Sequence, residues 1–303
     1  MSRVIHVLTG CTAVGKSELA LRWAVEHEAE IVSCDSLLFY RGMDIGTAKP
    51  TPDELARVPH HLIDICAVTE PMDITQYVAR ARSAVTGIWA RRRRVLVTGG
   101  SGFYLKAFFA AVADEVAVPA DLRARVRQLL ANDGLAGAVA ELRRLNPAGL
   151  EPLDVNNPRR VARALERCLA SDRTLAELRD GFAKQPAPFA DCEVQLCELR
   201  RESAELEGRI ERRVAAMMAA GLVAEVRDLL EQGLKMNQSA VKAIGYRETI
   251  EHLEGRLAES DLAGAIVRNT RALVKKQRTW FRTQLPVHRQ LDAAQATLAE
   301  LFP

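Results

Sequence analysis

Gly10-Cys11-Thr12-Ala13-Val14-Gly15-Lys16-Ser17 satisfies the pattern G-x-x-x-x-G-K-[ST] without a mismatch. Residues of these types at this spacing do one kind of chemistry: they hold a di- or triphosphate. Glycines let backbone N–H groups close around phosphate oxygens, and the helix that follows adds partial positive charge at its N-terminus. Lys16 is placed to reach the terminal phosphate, and Ser17 to offer its hydroxyl to Mg²⁺. The motif reports a bound phosphate chain and is silent on what is done with it.

Three further groups could do chemistry. Asp35, in Asp35-Ser36, follows an apolar run; it reads either as a carboxylate beside a ligand crevice or as a turn or cap residue, and the residue alone does not separate the two. His60 and His61 suggest a metal at first sight, but neighbours on a strand point to opposite faces, so structural or hydrogen-bonding roles are expected. Between Ile266 and Thr283 there are Arg268, Arg271, Lys275, Lys276, Arg278 and Arg282 and no carboxylate. All but Lys276 are spaced three and four apart, so they form one stripe that suits a polyanion, with Ile266, Val267, Leu273, Val274, Trp280 and Phe281 left to dock on a core. Arg159, Arg160, Arg163 and Arg167 make a smaller cluster of the same kind.

These residues need elements to position them. Arg3–Thr9 is a β-branched apolar run that predicts a buried strand, and Glu18–Val25 predicts the helix after the loop. Glu30–Cys34, His60–Ile65 and Val95–Val97 predict further strands, the last entering a second glycine turn, Gly99-Gly100-Ser101-Gly102. That strand has no terminal Asp, the usual acidic Mg²⁺ partner of phosphate-loop ATPases, which counts against an ordinary ATPase. Leu37–Pro50 predicts a loop, and Thr75–Ala90 a helix whose Arg91–Arg94 end is expected to be solvated. Helices are predicted at Leu122–Ala131, Leu135–Leu145, Pro158–Ala170 and Leu175–Phe182, then a strand at Glu193–Leu199. Further helices follow at Ala204–Ala220, Leu222–Gln232, Ser239–Leu253 and Asp261–Thr283. The expected fold is α/β: a P-loop NTPase-like parallel-sheet core flanked by helices, spanning 1–118 and 193–303, with a helical insertion domain at 119–192.

The 303 residues, 48% of them hydrophobic, can bury a substantial core, and a net charge of +3 makes the chain only mildly basic. The six cysteines contain no C-x-x-C pair, so free thiols in a reducing compartment are expected. The chain enters its first strand almost at once and has no apolar run of membrane-spanning length, so a cytoplasmic protein without a signal peptide or membrane contact is expected.

Taken together these residues resemble the tRNA dimethylallyltransferases, enzymes that prenylate an adenine beside the anticodon. G-x-T-A-x-G-K-[ST] is Gly10 to Ser17, and D-S-x-x-x-Y-R-x-[ML]-D-I-G-T-A-K-P is Asp35 to Pro50. H-H-L-I-D is His60 to Asp64, G-G-[TS]-x-x-Y is Gly99 to Tyr104, and N-[ND]-P-x-R-[VI]-x-R-A-L-E is Asn156 to Glu166. R-I-x-x-R-V-x-x-M-x-x-x-G-L-x-x-E-V is Arg209 to Val226, I-G-Y-[RK]-E is Ile244 to Glu248, and [KR]-[KR]-Q-x-T-W-[FL]-R is Lys275 to Arg282. The departures are small: Cys11 stands where the family usually has Pro or Ala, Ser101 for Thr, and Phe103 for Leu.

The resemblance implies dimethylallyl diphosphate as donor, its diphosphate held by Gly10 to Ser17, with Mg²⁺ at Ser17. It implies an acceptor amine on an adenine of the tRNA anticodon stem-loop, Asp35 as general base, Arg213 against the leaving pyrophosphate in preference to Arg209 or Arg212, and Thr12 and Ser101 on diphosphate oxygens or the adenine. On the tRNA side it implies Asp35, Ser36, Leu37 and Leu38; Ser101; Arg123; Arg159, Arg160, Val161, Ala162 and Arg163; Lys242, Ala243, Ile244, Gly245, Tyr246 and Arg247; and Arg271 and Arg278 from the stripe. A monomer is expected. Three rivals share parts of the pattern: a small-molecule kinase, which would need the missing acidic partner; an adenylate isopentenyltransferase acting on free nucleotide; and a tRNA-binding module with a relic phosphate loop, which the intact Gly15-Lys16-Ser17 and Asp35 argue against.

Overall fold

The computed structural model describes residues 3–114 and 116–303. The chain divides into two compact units, one of Met1–Val112 with Ala187–Pro303 and one of Ala113–Pro186.

The first unit is built on one parallel sheet. In chain order it runs β1 (Val4–Gly10), α1 (Lys16–Glu26), β2 (Ala29–Ser33), α2 (Pro52–Arg57), β3 (His60–His61), α3 (Ile74–Ala90), β4 (Arg94–Gly99) and α4 (Gly102–Lys106). The helices α5 (Ala120–Leu145), α6 (Pro158–Ser171) and α7 (Leu175–Ala183) belong to the second unit. The first unit resumes with β5 (Glu193–Arg200), α8 (Ser203–Ala219), α9 (Leu222–Glu231), α10 (Tyr246–Leu253), α11 (Glu259–Gln284), β6 (Arg289–Asp292) and α12 (Leu298–Leu301). The six strands lie in the order β3-β2-β4-β1-β5-β6, all parallel. Val7, Val32 and Val97 on the inner strands are fully buried, as a sheet covered on both faces requires. All the strands point the same way. The loops after β1, β2 and β4 therefore gather at one end of the sheet, the crevice where α/β folds hold ligands.

Three expectations need correction. The His60–Ile65 strand shrinks to His60–His61, because Leu62 and Asp64 take left-handed φ of 63° and 55° and cannot continue a ladder. The helix expected from Ser239 begins only at Tyr246: the Asn237 side chain accepts from the Ser239 and Ala240 amides, and Gly245 turns the chain at φ 93°. Arg91 is not simply a solvated helix end, since it donates to both oxygens of the buried Glu30 carboxylate at 2.9 and 2.6 Å. The strand β6 and helices α2, α4 and α12 were not anticipated.

The second unit buries its own small core, with Val126, Leu142, Val161, Leu165 and Leu178 inside. Its long helix α5 is interrupted at Gly134, where φ is 66° and ψ −168°.

Candidate active site

The phosphate loop joins β1 to α1, as its motif requires. Gly15 caps α1 at φ 109°, and Ala13 also adopts a positive φ of 66°. Alternating handedness turns successive N–H groups to one side, which is the geometry of an anion cradle. Two arginines from after β5 brace the loop. Arg209 Nε donates to the Ala13 carbonyl at 2.8 Å, and Arg201 Nε to the Val14 carbonyl at 3.0 Å. The Ala13 and Val14 carbonyls are thus held by two guanidiniums. Lys16 Nζ donates to the carbonyls of Gly10 and Cys11 at 2.8 and 2.9 Å. Burial pushes its pKa down to about 8, against the opposing pull of Cys11 and Asp35. The Cys11 and Val14 side chains are buried, so these two residues serve the loop through backbone alone.

Asp35 follows β2. Both sequence readings of it hold at once: its Oδ1 accepts from the Leu37 amide at 3.0 Å, an Asx turn, and its side chain faces the crevice. Ser101, after β4, accepts from the Ser36 amide at 3.0 Å and donates to Ser36 Oγ at 3.2 Å, fixing the Asp35–Leu38 turn against the second glycine turn. Arg213 comes from α8, half-buried, with Nη2 on the Thr47 carbonyl at 2.9 Å. Burial lowers its pKa from the usual value and the Asp35 charge raises it; an arginine stays protonated through such a shift.

Two cavities meet at these residues. The first, about 560 Å³, is lined by Ala13, Gly15, Lys16 and Ser17 at one end and by Ile31, Leu38, Ile63 and His60 elsewhere, with Arg209 and Arg212 also on its wall. The second, about 490 Å³, is lined by Ser36, Leu37, Ser101, Phe103, Tyr104, Ile244, Lys276 and Trp280. Thr12, Asp35, Thr47, Gly100, Arg213 and Gln277 line both. A polar, phosphate-suited chamber and a largely apolar aromatic one thus share a carboxylate and a guanidinium at their junction. Among the described residues no three His, Cys, Asp or Glu side chains cluster as a ready metal cage. Ser17 and Asp35 bring hard oxygens to the first cavity's wall, which Thr12, Glu18, Thr47 and Glu54 also line; oxygen donors of this kind fit Mg²⁺, which keeps waters and borrows phosphate oxygens.

The sequence reading missed Gln277. It projects from α11 into the junction, where Oε1 accepts from the Thr12 amide at 2.9 Å and Thr12 Oγ1 at 3.2 Å, while Nε2 donates to the Gly100 carbonyl at 3.0 Å. The available signal was one neutral residue among the cations Lys275, Lys276 and Arg278. Much of the Asp35–Pro50 block supports rather than reacts. Glu225 of α9 accepts from the amides of Asp44, Ile45 and Gly46, and Lys49 is enclosed by Asp44, Asp64 and the Tyr40 carbonyl.

Two groups on the expected tRNA side change. Tyr246 is fully buried and donates its hydroxyl to Glu225 at 2.6 Å, and Ala243 and Gly245 are buried too. That segment therefore offers only Lys242, Ile244 and Arg247 outward. Val161 is core in the second unit, leaving Arg159, Arg160, Ala162 and Arg163 on the helix face, with Arg123 exposed on α5. Within the α11 stripe, Arg271 is answered by Glu211 at 2.7 Å and Glu207 at 3.5 Å on α8. Arg278 donates to Ser203 Oγ and the Arg201 carbonyl at 3.0 and 3.1 Å. His60 and His61 hydrogen-bond to the Val58 carbonyl and to Glu30, both at 2.7 Å.

Fold and site define a P-loop, parallel-sheet transferase architecture, and the IPP transferase family model matches residues 38–284. The chain belongs to that family. It is 67% identical over 290 residues to a tRNA dimethylallyltransferase of Opitutus terrae, covering 96% of this chain and 93% of the relative. It also superposes on the tRNA isopentenylpyrophosphate transferase of Bacillus halodurans with a TM-score of 0.69 at 30% identity, covering 99% and 93% of the two chains. The fold alone is shared, at a TM-score of 0.83 and 22% identity, with a eukaryotic dimethylallyltransferase acting on tRNA, over 96% of this chain and 74% of that one.

Proposed function

We propose that this chain transfers the dimethylallyl group of dimethylallyl diphosphate to the exocyclic N6 amine of the adenine 3′ of the anticodon in tRNA, releasing pyrophosphate. The observation that carries this reading is the pair of cavities joined at Asp35 and Arg213. A donor with its diphosphate on the loop amides and Lys16 has its allylic carbon near that junction. An adenine drawn out of its stack into the second cavity meets it there.

The N6 nitrogen bonds to the allylic carbon as the carbon–oxygen bond breaks. Asp35 takes the proton that N6 must lose. Lys16 and Arg213 neutralise the charge that grows on the departing pyrophosphate. Thr12 and Ser101 line the path between the two substrates. Mg²⁺, held at Ser17 and by the diphosphate itself, would supply further charge neutralisation. On the tRNA side, Ser36, Leu37, Leu38, Lys242, Ile244, Arg247 and the α11 stripe serve the first unit, and Arg123, Arg159, Arg160 and Arg163 the second.

Both cavities are lined by residues of the first unit, and a monomer is the working form this reading takes. Among the described residues no helix is long and apolar enough to cross a membrane, and the reading places the enzyme in the cytoplasm with its tRNA.

The test is prenyl transfer from dimethylallyl diphosphate to an anticodon stem-loop and to AMP under the same conditions. The stem-loop is expected to be preferred by orders of magnitude in kcat/KM, because its loop contacts position the amine. Comparable values would assign the protein to free nucleotide instead, and ATP binding without measurable diphosphate binding would return it to the kinases.

A further inference from the structure

Four large apolar side chains are exposed among the described residues, and Phe103 is the only aromatic of them, at 55%. It lies on α4, directly after the second glycine turn, and lines the second cavity together with Lys276 and Trp280. The aromatic residues behind it are committed elsewhere. Tyr104 packs edge-on against Phe39 and Tyr77 with centroids 5.5 and 4.7 Å apart, and its hydroxyl donates to the Met72 carbonyl. Among the described residues Phe103 makes a single aromatic contact, edge-on to Tyr104 at 6.5 Å, so no aromatic ring stacks on its faces. Trp280 forms the neighbouring wall and packs closely on Gly102, where a Cβ would stand 2.5 Å from its indole.

An exposed ring on the wall of a cavity, flanked by a lysine and sharing that cavity with the half-buried Arg213, fits a stacked base on a polyanionic strand. Extruding one base from a loop also breaks the stacking of its neighbour, which then needs a new partner.

Resting on the function proposed above, we infer that Phe103 is a base-stacking subsite for the nucleotide next to the target adenine. The ring takes up the face that the extruded adenine leaves bare, while Trp280 walls the cavity into which the adenine moves.

The test is a cycle of two changes read by stem-loop affinity in fluorescence anisotropy. Phe103→Ala is paired with an abasic spacer placed in turn at each position flanking the target adenine. Phe103→Ala is expected to raise Kd for the intact stem-loop about 10-fold, in the range of base–aromatic stacking, and to leave Kd for the loop abasic at one flank nearly unchanged. Phe103→Trp is expected to restore the affinity, and the Kd for dimethylallyl diphosphate is expected not to move. An equal loss on intact and abasic loops at both flanks, or no loss on the intact loop, overturns the inference. Prenylation of the intact stem-loop by the unaltered protein is scored separately. Its absence would refute the parent reading, while the affinity cycle still reports on Phe103.

Discussion

Gln277 and Thr12 are joined through two hydrogen bonds to one carboxamide oxygen, from the Thr12 amide at 2.9 Å and from its hydroxyl at 3.2 Å. The orientation of the carboxamide is set by fixed groups: a backbone amide can only donate, and the Gly100 carbonyl on Nε2 can only accept. The last long helix, whose outer face is basic, thereby holds the phosphate loop and the second glycine turn at a fixed separation. The donor chamber and the helix expected to meet tRNA share this one side chain.

Gln277→Leu leaves the Thr12 amide and the Gly100 carbonyl without their partner, a loss of about 1–3 kcal/mol for each group that water does not reach. Donor affinity is expected to fall about 10-fold or more, measured by calorimetry with dimethylallyl diphosphate. Gln277→Glu keeps the acceptor for Thr12, loses the donor to Gly100 and adds negative charge beside the diphosphate, so it is expected to be no better. A wild-type Kd in the leucine variant would show that the loop holds its shape without Gln277.

Asp35→Asn preserves the side-chain oxygen that accepts from Leu37 and so keeps the turn, but it removes the base. Turnover is expected to drop by about 10²–10⁴-fold with stem-loop affinity nearly intact. Single-turnover prenyl transfer and a binding titration separate the two effects. Near-normal turnover would leave Asp35 as a turn residue only.

The strands and helices that carry the site were readable because their signals are local: a β-branched run before a glycine loop, and apolar residues at helical spacing after it. Glu225 and Gln277 were not readable in the same way. Their partners, the Asp44–Gly46 amides and Thr12, lie far away in sequence and are backbone or neutral groups, so neither charge pairing nor periodicity points to them. Tyr246 misled for a related reason. Its motif marks a residue of fixed identity, and the structure shows that identity serving a buried bond to Glu225. The strand β6 escaped notice because one leucine among three polar residues at a sheet edge makes no hydrophobic pattern; it is set beside β5 after His288 bonds the buried Glu198 at 2.8 Å.

Lys16 predicts a pH dependence for donor binding. Burial favours the neutral amine and brings its pKa to about 8, while a bound diphosphate favours the ammonium. Below that pH the charge is already present. Above it, binding must take up a proton, so Kd for dimethylallyl diphosphate is expected to rise about 10-fold per pH unit. Lys16→Arg keeps the charge at every accessible pH and is expected to flatten the profile. A wild-type affinity unchanged between pH 7 and 9.5 would show that Lys16 does not carry the charge the diphosphate meets.

The basic helix gives the last prediction, and the structure changes which residues it concerns. Arg271 already has two carboxylates of α8, and Arg278 is engaged at the start of that helix. Among the described residues Lys275 and Arg282 are exposed and have no ion-pair partner. Neutralising a phosphate releases counterions, so each cation that does so adds about 0.7–0.9 to the slope of log affinity against log salt. Lys275→Ala with Arg282→Ala is therefore expected to flatten the slope for stem-loop binding by about 1.4–1.8. Arg271→Ala with Arg278→Ala is expected to flatten it by less than about one, because these cations would exchange a protein partner for a phosphate. Donor affinity is expected to stay the same in both double variants, since neither pair lines the first cavity. Anisotropy titrations from low to physiological salt measure all of this directly. Equal slopes in the unaltered protein and both variants would make the stripe a solvated face, and the stem-loop would have to be held by other residues.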